Sequence, residues 1–255
     1  MIGRLARRQI ESRYRGSVLG LSWAILEPLF QLAIYTFVFS FVFRAKWGGL
    51  PGGASSQGEF ALFLFSGLTI YAIFADLVNE SPRLVLSAEQ YVKQMAFPVE
   101  ILVWVSMLVG IFKFTINLLL LFGFYRLTVG HPPVSAFLFP LVILPVMLLA
   151  AGVGWCFASL GVFLRDIGQL VGLLTTLLLF VSPIFYPASM IPEQYQPLYF
   201  VNPFARVLEM SKEILFVGVV PNHVELGLLI LSSWGVAWWG YLWFMRTKAG
   251  FADVL

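Results

Sequence analysis

The chain has 255 residues, 60% of them hydrophobic and 11% charged, with a net charge of +3. Its mean hydropathy is +0.88. Soluble domains carry about 25% charged residues, so a chain this poor in charge cannot cover a water-facing surface and must face lipid. In hydrocarbon only helices or closed barrels satisfy the backbone. Barrel strands alternate apolar and polar residues over about 10 positions; here the apolar runs are continuous and about 20 residues long, which is the helical pattern. The expected fold is therefore an all-α integral membrane protein.

The small net charge gives no reason to expect a nucleic-acid partner. Cys156 is the only cysteine and lies in an apolar run, which excludes an intramolecular disulfide and a cysteine metal cluster. His131 and His223 sit near prolines in expected loops, so no metal centre is expected. No Gly-x-x-x-x-Gly-Lys-Ser/Thr phosphate loop occurs; if ATP drives this protein, another chain binds it. No acid/base or nucleophilic constellation stands out.

In chain order, residues 1–20 are expected to hold an interface helix. At 100° per residue Ile2, Leu5, Ala6, Ile10 and Tyr14 fall on one half, and Arg4, Arg8 and Arg15 cluster on the other. Arg13 falls on the apolar half and spoils the pattern. Such a basic amphipathic helix is expected to lie on the inner leaflet. No cleavable leader is expected, because the apolar run that follows is too long and lacks a small-residue cleavage site. Six spans are expected at 23–43, 60–78, 99–124, 134–164, 167–186 and 226–244. The fourth is long for one crossing, so it is expected to tilt or start outside the lipid, with Pro140 and Pro145 as possible kink points.

Lysines and arginines set the orientation. With the N-terminus inside, Arg4, Arg7, Arg8, Arg13, Arg15, Arg83, Lys93, Arg165, Arg246 and Lys248 are cytoplasmic. Arg44, Lys46, Arg126, Arg206 and Lys212 are outside. Both termini are then cytoplasmic, and residues 1–255 form a single transmembrane domain.

The segment 187–218 is apolar and proline-punctuated, unlike a free polar loop. It is expected to be a hairpin of short helices dipping into the outer interface. Residues 79–98 mix charge with apolar side chains and suit a short helix gripped by a soluble partner.

Lys113 is the one basic residue well inside a span, with Asn117 one turn on; an intramembrane charge is a functional candidate by default. Asp76 is its obvious partner, but depth argues against a direct pair. Lys113 lies about 15 Å from the outer end of its span and Asp76 about 24 Å from its own. A structural or water-facing role is favoured over substrate contact. Aromatic residues make up 16% of the chain, and Tyr35, Phe39 and Phe43 share one helical face. Aromatic faces can stack on the polarised C–H bonds of sugars; lipid-facing packing is the plainer alternative.

Four stretches, in order, resemble the permease subunit of type-2 ABC transporters that export bacterial polysaccharides, most of all O-antigen. They are Glu11-Ser-Arg-Tyr-Arg-Gly-Ser-Val-Leu-Gly-Leu-Ser-Trp-Ala-Ile-Leu-Glu-Pro; Val92-Lys-Gln-Met-Ala-Phe-Pro-Val-Glu-Ile-Leu; Arg165-Asp-Ile with Ser182-Pro-Ile-Phe-Tyr-Pro-Ala-Ser-Met-Ile-Pro and Asn202-Pro-Phe; and Phe251-Ala-Asp-Val-Leu. The resemblance implies a homodimer in the bacterial cytoplasmic (inner) membrane with the pore between the copies. It implies two copies of a separate nucleotide-binding ATPase subunit that hold ATP and magnesium, this chain having no cofactor and no catalysis of its own. The implied substrate is a polysaccharide linked to undecaprenyl diphosphate. By the same resemblance, Tyr35, Phe39, Phe180 and Tyr186 are pore-lining candidates. Gln90, Tyr91, Lys93 and Phe97 are candidates for coupling to the ATPase. Arg13, Arg15 and Lys93 could attract a diphosphate headgroup. The alternatives are a capsular polysaccharide or teichoic acid exporter, a small-molecule type-2 ABC permease and, from other classes, an intramembrane lipid enzyme or a passive channel.

Overall fold

The computed structural model describes residues 1–38, 57–89, 97–186, 191–196, 199 and 202–254. Among them the regular structure is helical: α1 (Ile2–Tyr14), α2 (Trp23–Thr36), α3 (Gln57–Leu84), α4 (Ile101–Thr128), α5 (Phe139–Phe163), α6 (Ile167–Val181), α7 (Pro203–Lys212), α8 (His223–Thr247) and a short α9 (Phe251–Val254). Four stretches are long and apolar enough to cross a membrane: Gly58–Leu84, Ile101–Thr128, Val134–Phe163 and His223–Gly250.

Helix α3 is the hub. Ala61, Leu62, Leu64 and Ile70 are fully buried, and its side chains join both main core clusters. Its neighbours pack by close backbone approach. A methyl on Gly161 of α5 would collide with the backbone of Pro82 in α3, and Gly152 of α5 and Gly240 of α8 face each other with no room for a Cβ on either. Small residues at such crossings let membrane helices gain packing where no hydrophobic drive exists between them. Ser159 and Thr247 share a hydrogen bond of 2.7 Å near the same seam. The Lys248 ammonium pairs with Glu100 at 2.6 Å, closing the adjacent ends of α4 and α8.

Several expected boundaries move. Three of the long helices overrun their apolar cores: α3 reaches Leu84, α4 reaches Thr128 and α8 runs from His223 to Thr247. Backbone hydrogen bonding continues past the point where hydropathy fades. The fourth expected span begins as a 3-10 turn, Val134–Leu138, before α5. Pro140 lies in the first turn of α5, where a missing N–H costs nothing. The fifth expected span, helix α6, is shorter than expected. It stops at Val181 because Ser182 precedes Pro183 and adopts an extended conformation, ψ 143°, as a residue before proline prefers.

Helix α1 forms within the expected 1–20 segment. Its apolar half is used inside the chain: Ala6 packs with Val105 and Val109 of α4, flanked by Ile2, Leu5 and Ile10.

Candidate functional site

Two polar or aromatic concentrations interrupt the apolar bundle. The first stands where α6 ends. The rings of Tyr35 and Phe185 lie 5.9 Å apart, and those of Phe180 and Phe185 also 5.9 Å apart. The Tyr186 hydroxyl donates to the carbonyl oxygens of Phe180 and Val181 at 2.9 and 2.8 Å, capping the last turn of α6. Phe180, Tyr186 and Tyr195 line a cleft of about 580 Å³ together with Tyr199. Three expected pore aromatics, Tyr35, Phe180 and Tyr186, are thus gathered around Phe185; Phe39 lies outside the described residues. Sequence reasoning missed Phe185 and Tyr195. Phe185 sits in the Pro183–Tyr186 break, where no helical period assigns a face.

The break is held from below by α7. Asn202 accepts a hydrogen bond from the Phe204 amide at 3.0 Å and Pro203 occupies the first turn, a strong helix start. Phe204, Val207, Leu208 and Met210 are buried against the bundle. The Lys212 ammonium donates to the Pro183 carbonyl at 2.6 Å and lies 3.9 Å from the centre of the Phe63 ring. It thereby satisfies a carbonyl that the broken helix cannot. Burial pulls the Lys212 pKa down to about 7, against a smaller upward pull from Glu209. Arg206 pairs with Glu225 and Glu209, joining α7 to the start of α8.

The second concentration lies between α1, α2, α3 and α4. Lys113 pairs with Asp76 at 2.5 Å, which corrects the depth argument against that pair. Helix α4 runs to Thr128 and α3 starts at Gln57, so Lys113 lies about 22 Å and Asp76 about 28 Å from those ends. The flexible lysine stem covers the remaining offset. Asn117, Thr69, Glu27, Gln31 and Tyr14 join the pair around a cavity of about 100 Å³. Asp76 also lines a second cleft of about 460 Å³ with Gln9, Arg13, Asn79 and Glu80. The Gln9 amide donates to Glu80 at 2.7 Å, which ties α1 to α3. Burial raises the pKa of Tyr14.

The other sequence candidates fall apart from these two places. Arg15 is exposed just past α1. Phe97 packs against the core cluster that includes Val99 and Trp155. Gln90, Tyr91 and Lys93 lie outside the described residues.

Comparison with known proteins places the chain. The family profile described as ABC-2 type transporter matches residues 2–216. An O-antigen export system permease protein of Klebsiella pneumoniae is 27% identical over 98% of this chain and 93% of its own length. One from Myxococcus xanthus is 24% identical over the same shares. A polysialic acid transport protein of Escherichia coli is 24% identical over 89% of this chain and 85% of its own length. With a profile spanning most of its length and four long apolar helices, the chain is an integral membrane protein that belongs to the ABC-2 type transporter family.

Proposed function

We propose that this chain is the membrane-spanning subunit of an ATP-driven exporter that moves a lipid-linked polysaccharide of the O-antigen type across the bacterial cytoplasmic membrane. Two copies form the pore, each crosses six times with both termini cytoplasmic, and two copies of a separate ATPase bind ATP. The carrier is undecaprenyl diphosphate. Residues Arg13 and Arg15 attract its charge at the inner face, together with Lys93.

The observation that carries this proposal is the aromatic gathering at the broken end of α6. Tyr35, Phe180 and Phe185 offer flat apolar faces beside an open cleft. Such faces hold sugar rings without fixed hydrogen bonds and so let a polymer slide. At 15 residues, α6 spans about 22 Å, short of the roughly 30 Å core. Non-helical backbone at that depth is tolerated where it is packed in protein or borders a water-filled cavity. Here Ser182, Pro183 and Ile184 are buried, while Phe180 and Val181 remain exposed beside the cleft.

The test is co-purification from the producing strain with an ATPase subunit, followed by ATP hydrolysis in nanodiscs with and without the lipid-linked glycan. A stable complex whose hydrolysis responds to the glycan supports export. A chain that purifies alone and binds no ATPase overturns it. The likeness to a polysialic acid transport protein favours a capsular glycan as the second possibility. Chemical analysis of the surface polymer lost in a deletion strain separates the two.

A further inference from the structure

We propose that the polar cavity between α1, α2, α3 and α4 is a binding subsite for uncharged, hydroxyl-rich sugar units of the exported chain. This rests on the export proposal above.

Polar groups inside a membrane bundle are costly unless they are partnered or face water or a ligand. The Thr69 hydroxyl is such a group: the residue is 2% exposed and its oxygen has no hydrogen-bond partner among the described residues. It lines the cavity. Pro28, which has no N–H to offer the Ala24 carbonyl one turn below, lines the same cavity with Ala24. The Thr69 hydroxyl thus gives the cavity hydrogen-bonding capacity that the described side chains do not consume.

Charge decides what fits. Glu27 and Asp76 line the cavity and Glu80 the adjoining cleft, against Lys113 and Arg13. With two carboxylates against one ammonium, the cavity itself keeps a negative balance that repels an anion such as the diphosphate. A metal cation would have to displace the Lys113 ammonium from Asp76, where it sits at 2.5 Å. A neutral polyol meets neither obstacle. Its hydroxyls can donate to Glu27, Gln31 and Asn117 oxygens and accept from the Thr69 hydroxyl and the amide N–H groups. Thr69 and Asp76 are two helical turns apart, about 10 Å along α3, so polar groups stand at both ends of a cavity on the scale of one sugar unit. Arg13 at the adjoining cleft leaves the charged carrier beside the inner face while the first sugars enter.

The test uses the complete permease–ATPase complex in nanodiscs free of sugar detergents. ATP hydrolysis is titrated with two probes: the undecaprenyl-diphosphate-linked glycan isolated from the producing strain, and undecaprenyl diphosphate without sugar. Thr69→Val keeps shape and leaves the Asp76–Lys113 pair whole, so it is the decisive variant; Asn117→Leu is the second. Each is expected to raise the half-stimulating concentration of the glycan about three- to tenfold, the loss of one or two hydrogen bonds, and to leave the response to the sugar-free carrier unchanged. Thr115→Val, whose hydroxyl bonds back to Ile111 on the exposed face, is expected to match wild type. Variants that respond to the glycan like wild type, or that shift for both probes alike, overturn the subsite and leave the export proposal standing. A wild-type complex indifferent to both probes overturns the export proposal and this one with it.

Discussion

Lys113 and Asp76 meet because a lysine stem can climb the offset between two antiparallel helices. Lys113 is 19% exposed and Asp76 41%. Removing one partner from a partly wet pair costs less than the 3–5 kcal/mol typical of a dry one, about 1–3 kcal/mol. Lys113→Met and Asp76→Asn are each expected to lower the apparent melting temperature in nanodiscs, and the double variant to lose less than the sum. Single variants as stable as wild type would show that the pair contributes nothing. Lys212 makes a different prediction. Its folded pKa of about 7 lies below its ordinary value of 10.5. Between these values the unfolded chain holds a proton that the folded chain does not, so stability rises with pH across that window and is flat below it. A melting temperature that climbs from pH 7 to pH 9 is expected, and Lys212→Met should flatten the climb. Equal slopes in the two proteins would refute this account of Lys212. The sequence exposed Lys113 because a charge inside an apolar run is conspicuous. It hid the Asp76 contact because depth counted along the helix axes leaves out the reach of a lysine stem. It hid Thr69 entirely, since a threonine in an apolar run carries no sign of whether its hydroxyl is satisfied.

At the scale of elements, length and apolarity made most of the helices legible, while their seams were not. Gly152, Gly161 and Gly240 sit at backbone crossings, whereas an added Cβ at Gly227 or Gly235 meets open space. All five lie in apolar helices and look alike in the sequence. Only the pairing of helices, which depends on contacts far apart in the chain, separates them. Gly240→Val is therefore expected to cost more than about 3 kcal/mol by forcing α5 and α8 apart. Gly235→Val should change stability by well under 1 kcal/mol. The fraction of monodisperse protein after extraction and heating reads the difference, and two variants of equal yield would mean that the seam tolerates widening. The end of α6 was readable in principle from Ser182-Pro183. A hydropathy span ran through it to Tyr186 because Ile184, Phe185 and Tyr186 are apolar, yet backbone geometry overrules hydropathy at a proline. The wider segment 187–218 reads as apolar and proline-punctuated, whereas α7 itself carries Arg206, Glu209 and Lys212 beside its buried Phe204, Val207 and Leu208. Its grip on the break through Lys212 was not legible, because that contact joins residues 29 positions apart.

For the whole molecule, the question is what covers the faces that one chain leaves open. Ile34 and Phe30 on α2 and Leu173, Leu177 and Phe180 on α6 are exposed. Both helices border the aromatic gathering of Tyr35, Phe180 and Phe185. Helix α8 is also exposed, through Trp234, Trp238, Trp239 and Trp243, but these indoles stack along their own helix and require no partner to order them. If two copies close a twofold pore, each surface meets its counterpart about one axis, and α2 and α6 should face the other copy while α8 faces lipid. Replacing Cys156 with alanine removes the only native thiol. In that background, co-expressed Ile34→Cys and Leu177→Cys chains treated with a short bismaleimide in native membranes should give a cross-linked dimer, and Trp239→Cys chains should not. Cross-linking confined to Trp239 would put the interface on α8 and move the pore away from the aromatic gathering. Cross-linking through α2 and α6 would place Tyr35, Phe180 and Phe185 of both copies around one path, where a sliding glycan could exchange one ring for the next.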